Sequence, residues 1–158
     1  MSNNIQNGLR SWLVYPHRLT DRLAEEAGEA SLHVLNQGFV EGFWQREIVI
    51  MAKGEPCWYA RTLVPESTYF TCQYFFDQLK TKSLGELIYN SAIVQRTSLV
   101  HYPIGHAAVE FQWLPEHIKR TCHQALWIRS SYFRLRENHP FYLKEIFLPA
   151  MQIRHWTS

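Results

Sequence analysis

No run of about 18 apolar residues occurs anywhere in this sequence, which excludes a helix able to span a bilayer. Asn3, Asn4, Gln6 and Asn7 leave the first residues without the apolar centre of a secretion signal. The protein is therefore expected to be soluble and cytoplasmic. Cysteine is scarce: Cys57, Cys72 and Cys122 are odd in number and far apart, so neither a disulfide framework nor a CxxC site is indicated and reduced thiols are expected. Charge of one sign is also lacking. The net charge is +2 and no Lys/Arg run is present, which argues against a nucleic-acid partner. Gly38, Gly42, Gly54, Gly85 and Gly105 stand isolated, so there is no P-loop, GxGxxG or GxSxG, and nucleotide binding and covalent-serine chemistry have no support. Histidine is present without metal-ligand spacing: His101 and His106 are five apart, His117 and His123 six. Metal binding is not expected.

What the chain does have is a globular composition, with 46% hydrophobic, 19% charged and 15% aromatic residues. The aromatic share implies a densely packed interior. Its 158 residues fit one domain that buries about two-thirds of its unfolded surface. Residues 1–10 read as a flexible polar lead-in. Leu19, Leu23 and Ala27 recur at helical spacing between Pro16 and Gly28, which predicts a short amphipathic helix stopped by glycine. Residues 31–39 form a candidate strand weakened by Asn36 and Gly38. Residues 43–52 and 56–64 are runs rich in apolar, aromatic and β-branched residues around Lys53-Gly54-Glu55, a hairpin pattern. Tyr69, Cys72, Phe76 and Leu79 are spaced as in one buried helix over 68–79, and Ser83 with Glu86 makes a capping box for a helix over 84–89. A strand over 92–102, a connection with one helix after Pro115, and a hairpin of 125–136 with 141–148 complete the chain. The order gives an α+β domain with a mostly antiparallel sheet, the two middle helices covering one face.

Two charges stand in apolar company. Along the second run of the first hairpin, Cys57, Tyr59, Arg61 and Leu63 share one face; near the C-terminus Phe141, Leu143, Glu145 and Phe147 do the same. An unpaired charge in such surroundings costs several kcal/mol. Arg61 and Glu145 thus either line a small cavity for an anionic ligand that is polar at both ends, or form a buried structural ion pair, unless the strands are phased one residue differently.

Three stretches, WQREIVIMAKGEPCWYARTLVPEST, KSLGELIYNSAIVQRTSL and LWIRSSYFRLRENHPFYLKEIFLPA, together resemble the chorismate lyase family of bacterial ubiquinone biosynthesis, in that family's order and over most of the chain from Leu19 to Ala150. The resemblance implies a six-stranded antiparallel sheet with helices on one side and a ligand buried under flaps. It implies that Arg61 and Glu145 hold the two ends of the ligand, with backbone contacts from Leu19 and Leu99. The sequence departs from the family in having Ala60 and Ile128 where glycine is usual, and in a longer segment between Pro103 and Leu126. The two larger side chains would tighten the pocket.

The implied reaction removes pyruvate from chorismate and leaves 4-hydroxybenzoate. Aromatisation drives it, so no metal or redox cofactor is needed; the protein must supply orientation, a cation for the ring carboxylate and a proton carrier. Arg61 offers a two-pronged donor suited to a carboxylate. Glu145, desolvated among aromatic and aliphatic neighbours, would hold its proton more readily than a free glutamate and serve as general acid or as hydrogen-bond partner of the ring hydroxyl. Arg96 is a candidate for the enolpyruvyl carboxylate. The alternative function is a non-catalytic aromatic-acid binding domain of the same fold, but the chain has neither a helix-turn-helix segment nor a basic patch. Chorismate and 4-hydroxybenzoate are the expected partners of a monomer without nucleic acid or stable membrane insertion.

Overall fold

Antiparallel pairing of six long strands organises the molecule. In the computed structural model, which describes residues 7–136 and 138–153, the strands are β1 (Ser31–Val40), β2 (Phe43–Ala52), β3 (Glu55–Pro65), β4 (Val94–Ile104), β5 (Leu126–Leu135) and β6 (His139–Phe147), in sheet order β1-β2-β3-β6-β5-β4. Both tight turns of the β1–β2–β3 meander place two consecutive residues at positive φ: Glu41 (47°) with Gly42 (87°), and Lys53 (51°) with Gly54 (77°). Such turns match the twist of the flanking strands. The strands stand close to the boundaries expected from sequence, and the architecture is the expected α+β sheet.

The first departure is at the N-terminus. Helix α1 (Asn7–Leu13) begins inside the segment expected to be a flexible lead-in, and Leu9, Trp12 and Leu13 are buried; residues 1–6 lie outside the described residues. A seven-residue helix is unstable alone, so its packing against the core holds it. Helix α2 (Leu19–Ala27) ends as expected at Gly28, which adopts φ 85° and returns its N–H to the Ala24 carbonyl. The helix expected over 68–79 is broken into α3 (Glu66–Thr71), α4 (Gln73–Asp77) and a 3-10 turn, with Cys72 at φ −110° and ψ 28°. Within α4 both Phe75 and Phe76 meet the ring of Phe141. Helix α5 (Leu84–Tyr89) begins at the predicted cap, where the Ser83 hydroxyl accepts the Glu86 N–H at 3.2 Å.

Side chains directly opposite one another in an antiparallel pair lie on the same face. One face of the sheet carries two apolar clusters. Leu19, Leu23, Ile50, Trp58 and Phe147 pack with α1, α2 and α8 (Pro149–Ile153) at one end. Trp44, Val64, Phe133 and Phe141 pack with α3, α4 and α5 at the other. The expected helical layer is there. On the opposite face the connection between β4 and β5 adds two single-turn helices, α6 (Val109–Gln112) and α7 (Glu116–Lys119), whose Phe111 and Ile118 pack with Leu114 on Val49, Tyr59, Ile128 and Ile146.

Candidate active site

Between the two clusters on the helix-covered face the apolar surface gives way to charge. Ala60 lies opposite both Ile48 and Glu145, and Glu145 lies opposite Arg129. One row away, Arg46 is opposite Thr62, and Thr62 is opposite Leu143. Arg96, opposite Phe133 on β4, falls on the same face. These floor residues and a roof of His17, Arg18, Leu19 and Thr20 with Leu84, Gly85, Ile88 and Tyr89 of α5 line a cavity of about 80 Å³. That is room for several waters when no ligand is present.

Four guanidinium groups, of Arg18, Arg46, Arg96 and Arg129, and one carboxylate, of Glu145, line this cavity, a formal surplus of three positive charges. Among the described residues, the Nε atom of each arginine and Oε1 of Glu145 are buried without a hydrogen-bond partner. Glu145 Oε1 lies 3.3 Å from Arg129 Nε, at ion-pair distance but misaligned for a hydrogen bond, while Arg129 Nη1 donates to the Trp12 carbonyl at 3.1 Å. Burial pushes the Glu145 carboxyl up from its ordinary value, against the opposing pull of Arg129 and Arg96. Arg46, only 4% exposed, is pushed down by burial alone. Groups so placed have lost water without regaining full partners. A ligand with acidic and hydroxyl groups would supply them.

A larger groove of about 730 Å³ runs past Cys72, Lys82 and Arg136. Among the described residues, none of the buried unpartnered polar atoms lines it, and the smaller cavity is the better site.

Arg61 is not in the cavity. Its cross-strand partner on β6 is Lys144, one residue from Glu145, and this places Arg61 and Glu145 on opposite faces. On the outer face Arg61 Nη2 meets Glu47 Oε1 at 2.7 Å, Nε donates to the Tyr59 hydroxyl at 3.0 Å, and the guanidinium stacks 4.2 Å from the Trp113 ring centroid. The Tyr59 hydroxyl in turn donates to Glu47. Arg61 is thus a partnered structural cation on the face away from the cavity, and the arginine of this hairpin that lines the cavity is Arg46. Leu19, the first residue of α2, lines the cavity. Leu99 sits half-buried opposite Ser131 on the same face, outside the lining. Sequence reasoning missed Arg46, Arg129 and Arg18. Arg46 carried a legible signal, since Trp44, Arg46, Ile48 and Ile50 form an alternating face that is apolar apart from one cation.

A family model described as chorismate lyase matches residues 2–157. The chain belongs to the chorismate lyase family. Among its relatives, a Shewanella amazonensis protein named "Probable chorismate pyruvate-lyase" is 31% identical over 153 residues, spanning 90% of this chain and 80% of the relative. The "Chorismate pyruvate-lyase" of Citrobacter koseri is 29% identical over 161 residues, spanning 92% and 86%. In fold, the C-terminal domain of the histidine utilization repressor from Pseudomonas syringae pv. tomato superimposes with a TM-score of 0.51 at 10% identity, covering 80% of this chain and 95% of that one. At that identity the likeness carries the fold alone. Among the described residues no helix is long and apolar enough to cross a membrane, and no three His, Cys, Asp or Glu side chains gather to hold a metal ion.

Within this chorismate lyase fold, Ala60 is the small floor residue between Arg46 and Glu145. Ala60→Val adds two methyl groups towards the cavity, so folding stability should change by less than about 1 kcal/mol while affinity for 4-hydroxybenzoate falls at least about tenfold. A denaturant melt beside calorimetric titration checks this. Undiminished affinity would mean that the ligand does not rest on β3.

Proposed function

We propose that the protein is a chorismate lyase, converting chorismate to 4-hydroxybenzoate and pyruvate in the cytoplasm as the first committed step of ubiquinone biosynthesis. The observation that carries this is the cavity with Arg46 and Glu145 on one floor and a surplus of positive charge around them. Arg46 and Glu145 are two strands and two residues apart, roughly 12 Å between Cα atoms at ordinary strand spacings. Their side chains bracket a single six-membered ring with polar groups at opposite ends.

Arg46 receives the ring carboxylate, for which its fork of donors is suited. Glu145 meets the ring hydroxyl at the other end, and Arg129 fixes its position. Arg96, near enough to Glu145 to pull on its titration, takes the enolpyruvyl carboxylate. The ether carbon–oxygen bond breaks, the proton on the hydroxyl-bearing ring carbon leaves, and the ring becomes aromatic. The departing enolpyruvate takes a proton on its methylene carbon and becomes pyruvate. Glu145, whose burial raises its affinity for a proton, holds the hydroxyl oxygen while charge moves, and exclusion of water strengthens both contacts. Aromatisation is the driving force, and only protons and one ether bond change hands.

The test is pyruvate release from chorismate by purified protein in a coupled assay. Turnover should be undiminished by a chelating agent. Activity lost to the chelator and restored by a divalent ion would sink the cofactor-free mechanism. Tight binding of 4-hydroxybenzoate without any pyruvate release would make the protein a binding domain instead.

A further inference from the structure

The cavity floor is tied to the N-terminal helix by Arg129, whose Nη1 donates to the Trp12 carbonyl. Trp12 is the next-to-last residue of α1, where carbonyls run out of partners within a helix. Its oxygen accepts both the Tyr15 N–H at 3.3 Å and Arg129 at 3.1 Å. The residue before it is held by a second arginine. Arg22, half-buried on α2 and outside the cavity lining, donates from Nη1 to the Ser11 carbonyl and from Nη2 to the Ser11 hydroxyl, both at 2.9 Å. That hydroxyl is free to accept, because its own proton goes to the Gly8 carbonyl at 2.7 Å. The same guanidinium lies 4.0 Å from the Trp12 ring centroid and 5.1 Å from that of Tyr15, and its Nε meets Glu26 Oε2 at 3.2 Å. Arg22 thus holds both the peptide before Trp12 and the Trp12 ring, and the carbonyl that receives Arg129 belongs to the residue so held.

We propose that Arg22 is a positioning residue for the lyase reaction, acting on Glu145 through Trp12 and Arg129. This rests on the lyase function above. The cavity side gives Arg129 little support: among the described residues its Nε has no hydrogen-bond partner, and the space beyond has room for waters. The orientation of its guanidinium therefore follows the Trp12 carbonyl, and the Glu145 carboxylate, 3.3 Å from Arg129 Nε, follows the guanidinium. A seven-residue helix does not hold its own last turn. Two hydrogen bonds and a ring contact from Arg22 do so. Misplacing a reacting group by about 1 Å is costly, so a side chain on α2 governs a carboxyl inside the cavity. Glu145 shares that cavity with Arg129, Arg96 and Arg46 of the floor and with Arg18 and His17 of the roof. Burial raises its affinity for a proton and Arg129, ahead of Arg96, opposes the rise; loosening Arg129 moves the titration further up.

The experiment replaces Arg22 with methionine, which keeps a long apolar stem beside Trp12 and removes the donors. With protein in excess, single-turnover conversion of chorismate by Arg22→Met should slow about tenfold. The step of the pH–rate profile that belongs to Glu145 should move to higher pH. Arg22→Lys keeps a cation beside Trp12 and a donor for Ser11, and should regain most of the rate with the parent's profile. Arg129→Met should slow conversion at least as far, and adding Arg22→Met to it should change the rate by less than about twofold, because Arg22 acts through Arg129. A denaturant melt of each variant refers the rates to folded protein. If Arg22→Met melts lower yet keeps the parent's rate and pH profile, the clamp is structural and the proposal is overturned; full additivity with Arg129→Met overturns it as well. If the parent releases no pyruvate, the lyase function fails, and the pH dependence of 4-hydroxybenzoate affinity, read by calorimetry, decides the role of Arg22. Its Glu145 step should move up in Arg22→Met, and an unmoved step overturns the proposal.

Discussion

Glu145→Ala is expected to lose about 3–5 kcal/mol of folding stability, and its folded fraction should turn over chorismate at least about a hundredfold more slowly. The stability loss follows from Arg129, which is 1% exposed and has Glu145 as its ion-pair partner at 3.3 Å. Truncating the carboxylate strands that guanidinium, leaving the Trp12 carbonyl as its hydrogen-bond partner. The activity loss has a different origin, the missing partner of the ring hydroxyl. The two effects separate in Glu145→Leu combined with Arg129→Met. Replacing both partners of a buried pair with apolar groups is often neutral or stabilising, so the double variant should melt near the parent and still release no pyruvate. A denaturant melt and a pyruvate assay on one preparation read both. A Glu145→Ala protein that melts like the parent would mean that the pair is solvated, and parental turnover in its folded fraction would place the chemistry elsewhere.

Arg46 and Arg61 should respond in opposite ways. Arg46 is buried without an ion-pair partner among the described residues, and burial lowers its pKa, so its charge is poorly compensated there. Arg46→Met should therefore leave stability unchanged or raise it by about 1 kcal/mol, while affinity for 4-hydroxybenzoate falls about tenfold to a hundredfold with the lost charged hydrogen bonds. Arg61→Met should cost about 2 kcal/mol, since it removes the cation on which Glu47, Tyr59 and Trp113 converge, and should leave turnover intact. The partner's titration adds a check. Burial raises the Glu47 carboxyl, but hydrogen bonds from Tyr59 and Arg61 outweigh it and the net shift is downward. A carboxylate with a depressed folded pKa stabilises above its unfolded pKa, and that stabilisation disappears as pH falls through the folded value. The stability gap between the parent and Glu47→Gln should thus narrow on acidification below the ordinary carboxylate range. Loss of ligand binding in Arg61→Met, with Arg46→Met unaffected, would reverse the assignment.

Much of the local structure was legible because it depends on neighbours in the chain. The alternation of residues 43–52 and 56–64, the capping box at Ser83 and the glycine stop at Gly28 are short-range signals, and the elements formed where they pointed. Glu145 was also legible, since its strand is apolar on that face and one carboxylate interrupts it. Helix α1 was not. Its polar start reads as a loose lead-in, and its burial comes from Leu9, Trp12 and Leu13 meeting Trp58 and α8, contacts far away in sequence.

The sequence by itself determined which side chains on each strand share a face, and that three of those faces, carrying Arg46, Arg61 and Glu145, hold one charge among apolar residues. Only the tertiary structure decided which faces meet. A strand's alternation has a period of two, and pairing slipped by one residue inverts every facing relation. With Ala60 rather than Arg61 opposite Glu145, one cation goes to the outer face beside Glu47, and Arg46, one strand further over, takes the place beside the cavity. The pairing of β3 with β6 joins residues 79 to 89 positions apart. No local pattern records it, because that register follows from packing the whole sheet against its helices.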